Sequence, residues 1–433
     1  MNQTTLDIII LASMAGVFVL GFWRKLPVGI IMVLASVVAL LVGGFGISFR
    51  HIVEGSHYFI LLMSQIVMGM FFIKIMEATG ALDAIARIIL SWTVRSPLLL
   101  LAILAVFVMF PAMFTGSTPV SVLTTGVIVA KMLQRIGVPK LETGVIIAIA
   151  ALAGQSAPPV NVMVMIICTS TFMPYQGFEL PLALVCFPQA ILTAWAYGLK
   201  YVKRENLKAL VDEDRRDGKL VENGWVILKL FSPIILLVGL MILPRVLLFS
   251  IPDPNTPFMF LASGILAMFT GVTKMKFIET SRKTIDSSLT VLILFIGMGV
   301  IVQTMSATGV SGLLATSVVA LPLWALFVSV VIGPILLGGP VVPFGVAAIL
   351  GPPLVLAFGA YNSVIVTSAI SLLLSLGCLV PPTALSSLFA GEILGIKNYL
   401  TITKRAWPVA LITIVIAVLM IYYANPIGKF LKV

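Results

Sequence analysis

Long runs of apolar residues alternate with short polar segments along the whole chain. Several runs reach about 20 residues, the length that an α-helix needs to cross about 30 Å of hydrocarbon. The strict apolar–polar alternation typical of an outer-membrane barrel strand is absent from the sequence. The pattern therefore predicts an all-α polytopic membrane protein.

The apolar runs predict the same order of elements twice. In residues 1–202 we expect spans at Leu6–Phe22, Val28–Ile47, Phe59–Met76 and Pro181–Tyr201, a hairpin at about 97–135 and a broken helix at about 141–173. In residues 228–433 we expect spans at Leu228–Phe249, Pro257–Gly271, Leu289–Met305 and Trp407–Tyr423, a hairpin at about 322–359 and a broken helix at about 363–389. A polar linker, residues 203–227, joins the two halves. Each half then has five crossings and one hairpin.

Short motifs support a duplication. "MEATG" at Met76–Gly80 recurs as "MSATG" at Met305–Gly309. "AGQSAPPVNV" at Ala153–Val162 recurs as "LGCLVPPTAL" at Leu376–Leu385, and both place Gly four residues before a Pro-Pro pair. Because these matches keep their order and a nearly constant separation, the chain is predicted to contain two copies of one plan.

Two apolar runs are interrupted by small residues without charge, "FTGSTP" at Phe114–Pro119 and "LGGP" at Leu337–Pro340. Ordinary pairs of spans are one interpretation. The short arms and uncharged middles favour re-entrant hairpins, whose tips leave backbone groups unpaired only where they line a buried cavity.

The basic residues predict the orientation. With the N-terminus outside, the linker and most Lys and Arg residues lie inside, whereas the outer side keeps only Arg50, Arg245, Lys429 and Lys432. This is the positive-inside bias, which accounts for the net charge of +11 without nucleic acid. It places both termini outside, gives the halves opposite topology, and predicts a multi-pass protein of the bacterial inner membrane, with the lipid bilayer around it.

Inverted repeats, broken helices and hairpin tips converge near the bilayer midplane in secondary transporters. A helix broken at Gly-x-x-x-Pro-Pro exposes carbonyl groups, which suit Na⁺, and N–H groups, which suit a carboxylate. The predicted substrate-binding residues are Thr115, Ser117, Thr118, Gln155, Asn161, Thr383 and Ser386. The predicted Na⁺-binding residues are Gly116, Ser117, Gly154, Ser156, Gly338, Gly339, Gly377 and Thr383. A single hydroxyl in a helix more often bonds its own backbone, but these groups cluster at the breaks.

The remaining residues exclude several functions. No Asp or Glu lies at the middle of a predicted span, which argues against a proton relay and favours Na⁺ coupling through neutral ligands. No metalloprotease, nucleophile-elbow or phosphate-binding motif is present, so neither an enzyme nor an ATP-driven pump is predicted, and no cofactor beyond Na⁺ is expected. Cys168, Cys186 and Cys378 lack metal-site spacing and are expected to be packing residues.

Four segments resemble the large membrane subunit of tripartite ATP-independent periplasmic (TRAP) transporters. They are "GMFFIKIMEATGALDAIARI", "FTGSTPVSVLTTGVIVAKMLQRIGVP", "GQSAPPVNVMV" and "VPPTALSSLFAGEILGIKNYLTITKRAWP", which occur in the family's order. The resemblance implies a Na⁺-coupled carrier of the ion transporter superfamily that moves small organic anions by an elevator mechanism. It also implies two partners, a small four-helix membrane subunit and a periplasmic substrate-binding protein.

Two alternatives stay open. One is a stand-alone carrier of the same superfamily that needs no binding protein. The other is a different class, an ion channel or a membrane scaffold. In the elevator interpretation the two hairpins and two broken helices move together past a scaffold formed by the other spans.

Overall fold

The computed structural model describes residues 3–202, 204–216, 223–246, 255–381 and 383–433. Within these ranges the chain is helical and contains no strand. Eight of the described helices are long and apolar enough to cross a membrane, and shorter apolar helices accompany them. The prediction of an all-α polytopic membrane protein is confirmed. Pro382, parts of the linker and the end of the span at Leu228–Phe249 lie outside the described residues.

The first half begins with two apolar helices and ends with a long one. Its helices are α1 (Gln3–Trp23), α2 (Val28–Val42), α3 (Phe49–His57), α4 (Ile60–Ala78), α5 (Ala81–Thr93), α6 (Pro97–Thr115), α7 (Thr118–Ser121), α8 (Val127–Arg135), α9 (Lys140–Ser156), α10 (Val162–Thr171) and α11 (Glu179–Gly198). A π-helical turn, Val122–Gly126, makes α7 and α8 one continuous arm.

The linker contains α12 (Arg204–Arg216), and the second half then repeats the order. Its helices are α13 (Gly224–Val246), α14 (Thr256–Thr270), α15 (Phe277–Thr308), α16 (Val310–Val319), α17 (Leu323–Val341), α18 (Pro343–Ala357), α19 (Ser363–Ser375), α20 (Leu385–Leu394), α21 (Leu400–Tyr422) and α22 (Ala424–Leu431). A 3₁₀ turn, Leu376–Leu379, extends α19.

The glycines of the repeated Met-x-Ala-Thr-Gly motif occupy matching places in the backbone. Gly80 ends α4 and precedes α5 with φ +68°, and Gly309 ends α15 and precedes α16 with φ +85°. This left-handed conformation disfavours residues with a Cβ atom. In both halves the motif therefore turns the chain from a long helix into a short one that leads to the hairpin.

The helices pack in two groups. Helices α1–α4 pack with α13–α15, and we call these seven the frame helices. The hairpin and broken helices, α6–α10 and α17–α20, pack with one another and with α11 and α21, and we call these the core helices. In the frame, α2 and α15 approach so closely that a Cβ atom on Gly297 would lie 2.9 Å from the Gly29 Cα. Small residues allow such close contacts between membrane helices.

Some helices differ in length from the predicted spans. Helix α15 begins at Phe277, well before the predicted Leu289, and its polar first turns carry an ion pair between Lys283 and Glu279 at 2.8 Å. Helix α21 begins at Leu400, before the predicted Trp407. Hydropathy marks the part of a helix that lies in hydrocarbon, and polar residues continue the same helix beyond it.

Candidate substrate site

A cavity of about 430 Å³ lies between the frame and core helices, and we call it the central cavity. Small-ligand sites usually measure about 300–1,000 Å³. The frame contributes Met70, Lys74, Ser287, Thr290, Val291 and Leu294. The core contributes Gly116, Ser117, Thr118, Pro119, Val120, Leu123, Thr124, Gln155, Val342, Phe344, Cys378, Leu385 and Phe389. Both hairpins and both broken helices thus form the core side of its wall.

The tip of the first hairpin is a tight turn in the cavity wall. Gly116 ends α6 with φ +64°, and a Cβ atom there would also collide with the Val162 side chain. The Thr115 hydroxyl donates to the Pro111 carbonyl at 2.8 Å and accepts from the Ser117 N–H at 3.2 Å. Thr115 is therefore engaged in shaping the turn, which leaves Ser117 and Thr118 as the polar side chains of the tip that line the cavity.

A buried polar chain links the first tip to both breaks. The Thr118 hydroxyl lies 3.8 Å from the Cys378 sulfur, and the Cys378 thiol donates to the Gln155 side-chain oxygen at 3.3 Å. All three residues are almost fully buried and line the central cavity. Cys378, expected to be a packing residue, is therefore also a polar part of the cavity wall.

Asn161 holds the first break together from outside the cavity. Its side-chain oxygen accepts from the Val164 N–H at 3.1 Å and so caps α10. Its amide nitrogen donates to the Ser156 carbonyl at 2.9 Å and to the Ser371 hydroxyl at 3.0 Å. The residue thus bridges the ends of α9 and α10 and joins them to α19. This geometry indicates a positioning role for Asn161 rather than direct contact with a substrate.

The two residues of the second break that were predicted to bind substrate, Thr383 and Ser386, donate their hydroxyls to backbone carbonyls. The Thr383 hydroxyl donates to the Gly339 carbonyl at 2.7 Å, which ties the break to the second hairpin. The Ser386 hydroxyl donates to the Cys378 carbonyl at 2.9 Å and is fully buried. Neither residue lines the central cavity. Both stabilise the wall that Cys378, Leu385 and Phe389 form.

The second hairpin turns later than the "LGGP" motif suggests. Helix α17 continues through Gly338 and Gly339 to Val341, and the turn falls at Val342 with φ +68°. A Cβ atom on Gly338 would lie 2.6 Å from the Gly377 Cα, and one on Gly339 would lie 2.9 Å from the Val380 carbonyl oxygen. The two glycines let α17 pack directly on the second break, so the tip that lines the cavity is Val342 and Phe344.

Three helix N-termini and one charged side chain determine the sign of the electrostatics at the cavity wall. The helical segments that begin at Thr118, Pro343 and Leu385 start at its wall, so the positive ends of their dipoles lie there. Among the described residues that line it, Lys74 carries the only charge. Both features favour an anionic ligand such as a carboxylate.

The same region offers oxygen atoms to a cation. Helix α6 ends at Thr115 and α9 ends at Ser156, which brings the negative ends of two dipoles to the tip and the first break. The Ser156 and Ser387 hydroxyls are fully buried and have no hydrogen-bond partner among the described residues. Hard cations bind carbonyl and hydroxyl oxygens, so each of these hydroxyls is a candidate ligand for Na⁺. Gly154 packs against α6, where a Cβ atom would lie 2.6 Å from the Met109 carbonyl oxygen.

The structure brings four of the predicted site residues to the cavity surface, namely Gly116, Ser117, Thr118 and Gln155. It places Asn161, Thr383, Ser386 and the other predicted glycines behind that surface. Sequence reasoning missed Lys74, Thr290 and Cys378 as lining residues. For Lys74 a signal existed, since a lysine five residues before the Thr-Gly end of a span is unusual inside an apolar run.

Comparison with known protein families gives one match. The family model described as "CitMHS: Citrate transporter" matches residues 18–360, which include both hairpins, the first broken helix and most frame helices. Among curated proteins, none matches the chain. Since the match extends over most of the sequence, this chain belongs to the CitMHS citrate transporter family.

Proposed function

We propose that this protein imports small organic anions of the citrate class by secondary active transport. The observation that carries the proposal is the central cavity, where three helix N-termini and Lys74 face a space of suitable size and none of the described lining residues is acidic. Membership of the citrate transporter family supports a carboxylate as substrate.

Uptake of labelled citrate into proteoliposomes that contain only the purified chain tests this proposal. We expect saturable uptake, acceleration by citrate preloaded inside the vesicles, and competition by other di- and tricarboxylates. Uptake that does not saturate and shows no exchange with internal substrate would instead indicate a channel.

We propose Na⁺ as the coupling ion. The Ser156 hydroxyl at the end of α9 supports this, since it is buried and has no hydrogen-bond partner in the described part of the chain, and no carboxylate lies among the described residues lining the cavity. An inward Na⁺ gradient is expected to drive citrate accumulation without a pH gradient. Accumulation at the full rate in Na⁺-free buffer, abolished by a protonophore alone, would establish proton coupling instead.

We propose an elevator movement in which the core helices carry the substrate past the frame helices. The cavity supports this because its wall is shared between the two groups, with Lys74 and Thr290 on the frame and Ser117 and Gln155 on the core. A disulfide between position 104 of α6 and a facing frame residue should stop transport. One between two core helices that pack together away from the cavity lining, such as α19 and α21, should leave the movement intact.

The tripartite arrangement is a second candidate, supported by the four TRAP-like segments. It requires a small four-helix membrane subunit and a periplasmic binding protein, whereas the stand-alone carrier requires neither. Citrate uptake by the purified chain alone favours the stand-alone form. Uptake that appears only after both partners are added favours the tripartite one.

We propose an inner-membrane location with both termini outside. The support is the distribution of Lys and Arg, and a labelling experiment tests it with introduced cysteines. Asp212→Cys in α12 should be protected from an impermeant thiol reagent in intact cells, and Ile427→Cys in α22 should react. The natural cysteines are buried and contribute little background. The opposite labelling pattern would reverse the topology.

A further inference from the structure

A second cavity, of about 380 Å³, adjoins the charged end of α4, and we call it the lysine vestibule. Its charged lining residues are Lys74, Glu77, Lys274, Lys276, Glu279 and Lys283. Lys74 also lines the central cavity, and it is the one described residue common to the two linings. Lys74 therefore lies where the central cavity and an electropositive recess share a wall.

Hydrogen bonds hold one wall of the vestibule, the segment after α14, against the end of α4. The N–H groups of Val272 and Thr273 both donate to the Thr79 carbonyl, at 2.9 and 3.0 Å. The Thr273 hydroxyl donates to the Ala78 carbonyl at 3.3 Å. These bonds fasten the segment that carries Lys274 and Lys276 to the end of α4, next to Lys74.

The charge balance of the vestibule favours an anion in transit. The two glutamates already have partners: Glu77 pairs with Lys74 at 2.8 Å, and Glu279 pairs with Lys283 at 2.8 Å. Lys274 has no ion pair among the described residues, so the vestibule keeps an excess of positive charge. A lining with a net positive charge raises the local concentration of anions.

The positive-inside bias alone accounts for lysines at this end of the protein. It does not account for Lys74, which lies within α4, is three-quarters buried, and reaches the central cavity. Its partner Glu77 is a neighbour on the same helix and is 41% exposed, so little stability is lost when the pair opens. Lys74 is therefore free to exchange Glu77 for an arriving carboxylate.

We propose that the lysine vestibule is the path by which the organic anion passes between the central cavity and the membrane surface, and that Lys74 transfers it. This inference rests on the proposed function and deepens it. A substrate with two or three carboxylates engages Lys74 with one group while another stays at the helix ends of the hairpin tips. Because Lys74 belongs to the frame, it meets the substrate only in the state in which the cavity joins the vestibule, which is the predicted cytoplasmic side.

The test measures citrate transport by purified variants in proteoliposomes from each side. Lys74→Gln should raise the KM for citrate on the vestibule side by about tenfold or more, which corresponds to one lost charge-assisted hydrogen bond. Lys74→Arg should restore most of the affinity, because it keeps the charge. Lys404→Gln, a matched control on the exposed face of α21 outside both cavities, should leave the KM unchanged.

Two further variants separate transfer from a structural ion pair. Glu77→Gln also breaks the pair with Lys74, so a purely structural role predicts the same defect in Glu77→Gln and Lys74→Gln. Transfer predicts a citrate KM equal to or below that of the unaltered protein in Glu77→Gln. In the triple variant Lys274→Gln, Lys276→Gln, Lys283→Gln, the dependence of uptake on ionic strength should weaken.

The outcomes distinguish this inference from the proposed function. If the unaltered protein does not transport citrate or a related carboxylate, the proposed function fails. If it transports but Lys74→Gln keeps the same KM on both sides, the transfer role is wrong. If Lys74→Gln fails to fold, two measurements replace it: the citrate KM of Lys74→Arg compared with that of Glu77→Gln, and the salt dependence of uptake by the triple variant. A triple variant with unchanged salt dependence would show that the anion does not pass through the vestibule.

Discussion

The Cys378 thiol donates a hydrogen bond to the side-chain oxygen of Gln155 over 3.3 Å, and so joins the broken helices of the two halves at the cavity wall. Gln155 is 2% exposed and Cys378 is 1% exposed. A buried amide and a buried thiol at this junction explain how two distant segments form one cavity wall. The contact also identifies residues of the two breaks that lie at that wall.

Gln155→Ala should reduce the kcat/KM for citrate by about tenfold or more, since it removes a polar group of the cavity and leaves its partner unpaired. Cys378→Ala should reduce it less, because a thiol is a weak donor. Initial rates of uptake measure both effects. Cys186→Ala, a buried cysteine of α11 that does not line the cavity, serves as the control, and an equal loss in that variant would contradict a specific role.

Asn161→Ala should lower the thermal stability of the protein. The variant loses the N-cap of α10, worth about 1 kcal/mol, and leaves the Ser156 carbonyl and the Ser371 hydroxyl without this donor. Thermal unfolding in detergent measures the change as a lower Tm. Ser387→Ala removes a buried hydroxyl that has no hydrogen-bond partner within the described ranges, and it should leave the Tm nearly unchanged. A similar Tm for both variants would argue against the bridging role of Asn161.

Gly338→Ala should impair both stability and transport, because the added methyl group would lie 2.6 Å from the Gly377 Cα and force α17 away from the second break. Gly333→Ala on the same helix is the matched control. There the nearest atom is the end of the flexible Leu350 side chain, at 3.3 Å, and alanine favours the helix by about 1 kcal/mol. Tm and citrate uptake of the two variants should therefore differ clearly.

Ser156→Ala should raise the Na⁺ concentration needed for half-maximal uptake by about tenfold, if its hydroxyl is an ion ligand. The Tm in Na⁺-free buffer should change little, because the hydroxyl has no partner to lose among the residues that the structure describes. Ser263→Ala in α14 is the control, since it removes from the frame an equally buried hydroxyl that also has no partner among those residues. A normal Na⁺ dependence in Ser156→Ala would exclude the residue from the ion site.

Much of the architecture follows from local features of the chain. The apolar runs predict the membrane helices, and the glycine at position 116 predicts the first tip, where the structure has a left-handed residue. The Gly-x-x-x-Pro-Pro motif predicts the first break, and α9 ends at Ser156, just before Pro158-Pro159. The prediction of membrane helices is confirmed because hydropathy acts over a few neighbouring residues, and the effects of proline and left-handed glycine on the backbone have the same short range.

The sequence by itself therefore determined the class of the protein, the order of its helices and the places where two of them break. Tertiary packing decided which side chains meet, because contacts such as Asn161 with Ser371, or Gln155 with Cys378, join residues more than two hundred positions apart. Packing also moved the second tip to Val342, since Gly338 is needed for the contact of α17 with Gly377. Lys74 is the clearest case: its place between two cavities depends on how α4 stands against α15 and the first hairpin, and no pattern near position 74 specifies that arrangement.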